Sequence, residues 1–214
     1  MSAKSPMSIL LYNRLLNYLR YLQQRPEEER DAVTSAVISA ALGTSEAQVR
    51  KDLSAVHDGG APETEYVTQD LIAGLERFLG HDNYTDAVLV GAGNLGRSFL
   101  AYEKFKSYGL KIVAAFDSDP ERIGQTIHGV QVLGAEKIGS ICRRMAVHIG
   151  IITVPHDQAQ AVCDQMVQGG IRAIWNFAPV NLEAPRNIIV KNEDMAASLA
   201  VLTRQVADSI AEDY

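Results

Sequence analysis

Nine residues constrain this chain more than any others: Val88-Leu-Val-Gly91-Ala92-Gly93-Asn94-Leu95-Gly96. An apolar strand there feeds a G-x-G-x-x-G turn that opens a helix. The first glycine permits the tight turn, the second lets a pyrophosphate approach the backbone, and the third lets helix and strand pack closely. The N–H groups and positive dipole end of the new helix then point at the phosphates. Strand before and helix after make this motif far more specific than the glycines alone. Its position matters as much as its form. It begins near residue 88, so a segment with a separate task occupies the first eighty residues.

The length of 214 residues suits two domains. An apolar content of 47% supplies a sizeable core. No apolar run approaches the ~20 residues that span a bilayer. Met1 to Ser8 lack the apolar region of a signal peptide, so a cytoplasmic protein with no membrane partner is expected. Cys142 and Cys163 fall in no C-x-x-C pattern and are read as reduced and buried, with a redox pair as the lesser alternative. No Cys/His spacing suits zinc. A formal net charge of −6 argues against broad nonspecific affinity for nucleic acid, while leaving room for a small positive reading surface.

The two halves differ in pattern. Residues 9–22 repeat apolar side chains at helical spacing, and Pro26 ends that run. A second, Ala-rich helix is expected from Asp31 to Leu42, stopped by Gly43. A third opens at a Thr44 or Ser45 cap and runs through Gln48-Val49-Arg50-Lys51-Asp52-Leu53. Two helices about a glycine turn, the second capped, make a helix-turn-helix, and Thr44, Ser45, Gln48, Val49, Arg50 and Lys51 are the residues expected at the DNA. Turn residues between possible short strands over 56–67 suit a wing, and 69–80 a linking helix. From Thr85 onward, strands at 86–91, 111–116, 147–153, 172–175 and 187–191 alternate with helices near 94–107, 134–143 and 156–168. That alternation predicts a doubly wound parallel sheet of Rossmann type. A last helix over 193–211 places Met195, Leu199, Leu202, Val206 and Ile210 on one face. The expected organisation is α/β: a winged-helix domain over 1–80, a Rossmann domain over 81–192 and a C-terminal helix over 193–214.

The second strand ends in Asp117, about twenty residues past Gly96, where an acidic residue accepts hydrogen bonds from an adenosine ribose. An aspartate repels a 2′-phosphate, and no arginine stands directly beside it in sequence, which favours NAD and NADH over NADP(H). The alternative is an Asx-turn with Ser118-Asp119-Pro120. Two further strand ends, Thr153-Val154-Pro155 and Asn176-Phe177-Ala178-Pro179, would wall the nicotinamide, or would simply terminate strands and fill core. Catalysis finds little support. His156 is the one acid–base candidate on a strand end, and it lacks an evident carboxylate partner.

Together these motifs resemble the Rex family of redox-sensing transcriptional repressors, over nearly the whole chain. The carriers are Arg14 to Leu22, Ala41 to Ser54, Val88 to Arg97, Ile112 to Asp117, Gly150 to Pro155, Asn176 to Pro179 and Val190 to Asp194. The resemblance implies a homodimer that exchanges its final helix between protomers and binds double-stranded operator DNA. It implies NADH and NAD competing for one site per protomer, with NADH releasing the DNA. By the same carry-over, Gly91 to Gly96 hold the pyrophosphate and Asp117 the ribose, with Thr153, Pro155, Phe177 and Pro179 around the nicotinamide. Arg14, Tyr102 and Asp194 match positions whose hydrogen bonds change with redox state.

This sequence departs from the family in its wing. Asp58, Glu63, Glu65 and Asp70 appear there, with no Lys or Arg among residues 57–70. Carboxylates oppose the phosphate contacts that supply much of DNA affinity. Leu16, where proline is usual, lengthens the first helix. His156, where a small residue is usual, would touch the nicotinamide and make binding pH-sensitive. Two other readings stay open: a nucleotide sensor that has lost operator binding and acts on a protein partner, and an enzyme or CoA-binding relative.

Overall fold

The structure, a computed structural model, describes residues 8–26, 28, 31–56, 65–80 and 85–212. Its contacts divide the chain into two units, Met1–Asn83 and Tyr84–Tyr214.

The first unit is helical, with α1 (Ile9–Gln24), α2 (Ser35–Leu42), α3 (Glu46–Ser54) and α4 (Thr68–Leu79), plus two short strands, β1 (Ala32–Val33) and β2 (Tyr66–Val67). On α1, Leu15, Tyr18, Leu19 and Leu22 recur at helical spacing and are buried. They pack with Ile38, Val49, Leu53, Leu71 and Leu75 from the other three helices. Each such aliphatic side chain contributes about 1.5–3 kcal/mol by leaving water. Arg25 ends α1 in an extended conformation, as the residue before a proline prefers.

Three expectations change here. The helix expected from Asp31 starts at Ser35, because Ala32 and Val33 pair antiparallel with Val67 and Tyr66. Thr34 then caps α2 by accepting from the Val37 N–H at 3.2 Å. Gly43 stops α2 in the left-handed region (φ 64°), as its position suggested. Ser45, not Thr44, caps α3. Of the expected wing, Tyr66–Val67 is a strand, but its partner is β1, and residues 57–64 lie outside the described residues.

The second unit is a seven-stranded sheet with β3 (Thr85–Val90), β4 (Leu110–Asp117), β5 (Thr126–Ile127), β6 (Val130–Gly134), β7 (Ile149–Ile152), β8 (Ala173–Asn176) and β9 (Ile189–Asn192). The spatial order is β5-β6-β4-β3-β7-β8-β9, parallel throughout except for the β5–β6 pair. Without β5 this is the 3-2-1-4-5-6 order of dinucleotide-binding folds, whose direction reverses between β3 and β7. The helices are α5 (Asn94–Ala101), α6 (Ile138–Met145), α7 (His156–Gln168) and α8 (Met195–Glu212). Val88 and Val90 pack with residues of α6 and α7, while Ala87 and Leu89 join the core on the opposite face with Phe99 of α5. A central strand covered on both faces reads as an unbroken apolar run, as β3 does.

The helix expected over 94–107 ends at Ala101, where Tyr102 turns the chain into a 3-10 stretch over Glu103–Tyr108. The one expected over 134–143 is instead the end of β6, a 3-10 turn over Ala135–Lys137, and α6. The β5–β6 hairpin was not anticipated.

Candidate nucleotide site and nucleic-acid interface

The glycine turn sits at the carboxyl end of β3, at the point where strand order reverses. Gly91 takes φ +103°, and a Cβ there would lie 2.7 Å from the carbonyl oxygen of Thr153. A Cβ on Gly96 would overlap the carbonyl oxygen of Gly91, so α5 can pack this close to the turn only with glycine at that position. The Thr153 hydroxyl lies 2.8 Å from the Gly91 carbonyl and 3.1 Å from that of Val90, tying β7 to the turn. No side chain caps α5. The first N–H groups of a helix left in that state suit an anion.

Asp117 is 6% exposed and closes the turn from the side. Its Oδ2 accepts from the Ala92 N–H at 2.8 Å and from Arg122 Nη1 at 3.1 Å, and its Oδ1 accepts from the Asp119 N–H at 2.9 Å. The Asx-turn is therefore present, and the carboxylate grips the glycine turn as well. Burial works against the charged carboxylate. The hydrogen bonds from Asp119, Arg122 and Ala92 outweigh burial and hold its pKa below the ordinary range.

A cavity of about 470 Å³ opens beside this cluster. It gathers Gly91, Gly93, Leu95, Asp117, Thr153, Val154, Pro155 and Phe177, all expected from sequence. Ala92 and Gly96 are buried beneath the turn, and Asn94 is exposed in the first turn of α5. Ala178 and Pro179 instead line a smaller cavity of about 120 Å³ with Asn192 and Asp194. Ala178 is held there by the buried Asn176, whose Oδ1 accepts its N–H at 3.0 Å. His156 starts α7, is exposed, and does not line the larger cavity. Sequence reasoning missed Asp119, Arg122 and Gln158, which do line it. The absence of an arginine next to Asp117 in sequence is corrected in space. The Asx-turn folds the chain back, so Arg122 returns to Asp117 five residues on.

Phe177 belongs to an aromatic cluster. Its ring centroid is 4.6 Å from Trp175 and 4.7 Å from Phe99, and Phe99 stacks on Trp175 at 5.9 Å. Tyr102 is half-exposed and meets Phe105 edge-on at 5.0 Å. The Asp194 carboxylate accepts the Ala197 N–H at 2.8 Å and so caps α8. Both Cys142 and Cys163 are buried free thiols, and burial pushes the Cys142 pKa up to about 11.

In the first unit, α2, the Gly43 turn and α3 form the helix-turn-helix. Arg50 and Lys51 are exposed on α3, Gln48 is half-buried, and Thr44 and Ser45 precede it. Val49 is fully buried in the core, so it supports α3 from beneath and cannot be a DNA contact. Arg50 is engaged with Glu46 at 2.6 Å and with the Ser35 hydroxyl at 3.2 Å. Arg14, expected at a switching interface, forms a two-point pair with Asp52 at 2.6 and 3.0 Å. Asp52 also accepts from Tyr18 at 3.0 Å and from Gln48 at 2.7 Å. Burial raises the Asp52 pKa, but the bonds from Arg14, Gln48 and Tyr18 prevail and lower it overall. The Tyr18 phenol is pushed up to about 12 by burial and by its bond to Asp52.

Comparison with known proteins decides the family. The chain is 37% identical over 196 residues to the redox-sensing transcriptional repressor Rex of Clostridium beijerinckii, covering 92% of this chain and 93% of that protein. It belongs to the Rex family. A Rex repressor of Clostridium perfringens is 35% identical over 94% of this chain and 95% of its own. Residues 82–180 match the family described as "CoA binding domain", and residues 10–54 the one described as "Putative DNA-binding protein N-terminus". Among solved structures, the Rex-family repressor RSP is similar with a TM-score of 0.83 at 30% identity, covering 98% of this chain and 99% of RSP. RSP in complex with beta-NAD+ and operator DNA is similar with a TM-score of 0.86, covering 98% and 97%. The Rex family is one of transcriptional repressors rather than dehydrogenases, in keeping with the lack of a placed acid–base group in the sequence. Among the described residues, no helix is long and apolar enough to cross a membrane.

Proposed function

We propose that this chain binds operator DNA as a homodimer and releases it when NADH replaces NAD+ beside the glycine turn. One observation carries this reading. A single cavity at the reversal of strand order joins the glycine turn, a buried ribose-type carboxylate and the Thr153–Pro155 and Phe177 walls. Phosphates belong at the N-terminus of α5, the adenosine ribose at Asp117 and the nicotinamide toward Phe177. The RSP structure in complex with beta-NADH lends support.

Helix α8 exposes Met195, Leu199, Leu202, Val206 and Ile210, each more than half accessible. A stripe of that kind on a single chain marks an interaction surface, and a second copy of the chain, exchanging α8, is the proposed occupant. Residues 193–214 thus serve dimerisation, 81–192 ligand binding and 1–80 DNA reading, with Ser45, Gln48, Arg50 and Lys51 nearest the duplex. Such a repressor works in the cytoplasm, with the DNA. Arg14, Tyr102 and Asp194 are the proposed couplers of ligand to DNA.

A ligand shifts such an equilibrium only by its differential affinity for the two states. A hundredfold loss of DNA affinity corresponds to about 2.7 kcal/mol of coupling. The test is a mobility-shift assay on the protein's own promoter region, with NADH and NAD+ titrated separately. Release by NADH and not by NAD+ is expected. The acidic stretch over 57–70 favours a second reading, a sensor acting through a protein partner. Failure to shift DNA at low salt, with NADH still bound, would establish that reading instead.

A further inference from the structure

The wall assigned to the nicotinamide is joined to the start of α8 by contacts that the site as derived so far does not use. Phe177 follows β8, lines the larger cavity and packs on Trp175 with ring centroids 4.6 Å apart. From α5, Phe99 closes over both rings, stacked on Trp175 at 5.9 Å and edge-on to Phe177 at 4.7 Å. The indole N–H of Trp175 donates to Glu193 Oε1 at 3.1 Å. Glu193 stands between the end of β9 and Asp194, the cap of α8, and its own N–H donates to the Asn176 carbonyl at 2.8 Å. Lys191 Nζ is 3.7 Å from the same carboxylate oxygen and 71% exposed, so it offsets charge and fixes little.

A second tie runs beside the first. The side-chain amide of the fully buried Asn176 donates to Asn192 Oδ1 at 2.9 Å and to the Val180 carbonyl at 2.8 Å. The chain leaving Phe177 and the chain entering α8 are thus held at one residue, and the Trp175–Glu193 bond adds the aromatic rings to that junction. Close-packed rings pass a displacement on, because no free volume between them absorbs it. A hydrogen bond to a carboxylate is strong enough to carry it further. The rings also meet different partners in the two redox states. An oxidised nicotinamide is a planar cation, drawn to aromatic faces, and the reduced ring is neutral. The wall therefore has the differential contact that a redox-driven shift requires.

We propose that Glu193 is a positioning residue that, through Trp175, links the redox state read at the nicotinamide wall to the placement of α8. The proposal rests on the switching reading above and gives that switch a route inside one copy of the chain. The acceptor on Glu193 is what matters, and its charge is secondary.

The experiment compares the full-length protein with Glu193→Ala, Glu193→Gln and Trp175→Phe. NADH affinity is measured by calorimetry, and release by anisotropy of a labelled duplex of the protein's own promoter region. The quantity read is the NADH concentration that frees half the DNA, divided by that protein's own NADH dissociation constant. In Glu193→Ala this ratio should rise about fivefold or more, while NADH affinity and ligand-free DNA affinity each change by less than about threefold. Glu193→Gln keeps the acceptor and should stay within about twofold of the unmodified protein. Trp175→Phe keeps a ring and loses the N–H, so it should raise the ratio as Glu193→Ala does, and the double variant should raise it no further. Trp175→Phe also carries the comparison if the alanine variant does not fold. A ratio unmoved in both single variants overturns the proposal. So does a Glu193→Ala protein that loses DNA affinity before any NADH is added while its ratio holds, which marks a structural contact only. An unmodified protein that binds NADH yet neither binds the duplex nor lets it go overturns the switching reading, and this proposal with it.

Discussion

Among the described residues, each unit of the molecule contains one nearly buried aspartate paired with an arginine, and the two have different uses. Asp52 accepts four hydrogen bonds, two from Arg14 and one each from Tyr18 and Gln48, all from side chains of α1 and α3. Its acceptor capacity is full, so it can only hold α3 on α1. Asp117 accepts two bonds from backbone and one from Arg122, at the mouth of a cavity. It organises a turn and still has an acceptor to offer. A saturated buried carboxylate supports the fold, and an unsaturated one at a strand end can also recognise a ligand.

The sharpest way to break this contrast is to remove each carboxylate in turn. Asp52→Ala strips three side chains of their acceptor and should cost the first unit about 3 kcal/mol, read as an earlier transition in urea. NADH affinity should stay within about twofold. An unchanged urea transition would show that the cluster on Asp52 is ornamental. Asp117→Ala should weaken NADH binding about ten- to hundredfold, measured by ligand fluorescence, while costing the fold less than Asp52→Ala does. Equal NADH affinity in that variant would remove Asp117 from the site.

The smallest effect is a pH dependence. Both carboxylates have folded-state pKa values below their ordinary 3.8. The stability they confer is fully present above that pH and is lost as pH falls through the lower folded values. Unfolding free energy measured from pH 7 to 2 should therefore decline more steeply below about 3.8 in the parent than in Asp52→Asn. Parallel curves would mean that the Asp52 carboxylate has the same pKa folded and unfolded.

The glycine turn, the parallel sheet and Asp117 were legible because each rests on a local rule: a steric need for glycine, an apolar strand, a fixed spacing. What escaped depended on chain reversal or on a partner far along the sequence. The β5–β6 hairpin turns on His128 and Gly129, both at positive φ (47° and 80°), and His-Gly lacks the usual Asn-Gly signature. The helix expected from Asp31 lost its first residues to a pairing with Tyr66 and Val67, more than thirty positions away. Arg122 was missed because adjacency was judged along the chain. Val49, expected at the DNA, belongs instead to the inner face of α3, because which side of so short a helix meets the core is set by residues of the other helices and not by the local sequence.

The aromatic cluster behind the cavity has a practical consequence. Trp175 is the sole tryptophan of the chain, and its indole N–H is fixed on Glu193 at 3.1 Å. Its ring sits 4.6 Å from Phe177, on the wall assigned to the nicotinamide. Indole emission overlaps the absorption band of reduced nicotinamide, so the protein carries its own optical gauge. Excited in the ultraviolet, the unlabelled chain should dim as reduced cofactor docks and stay comparatively bright with the oxidised form.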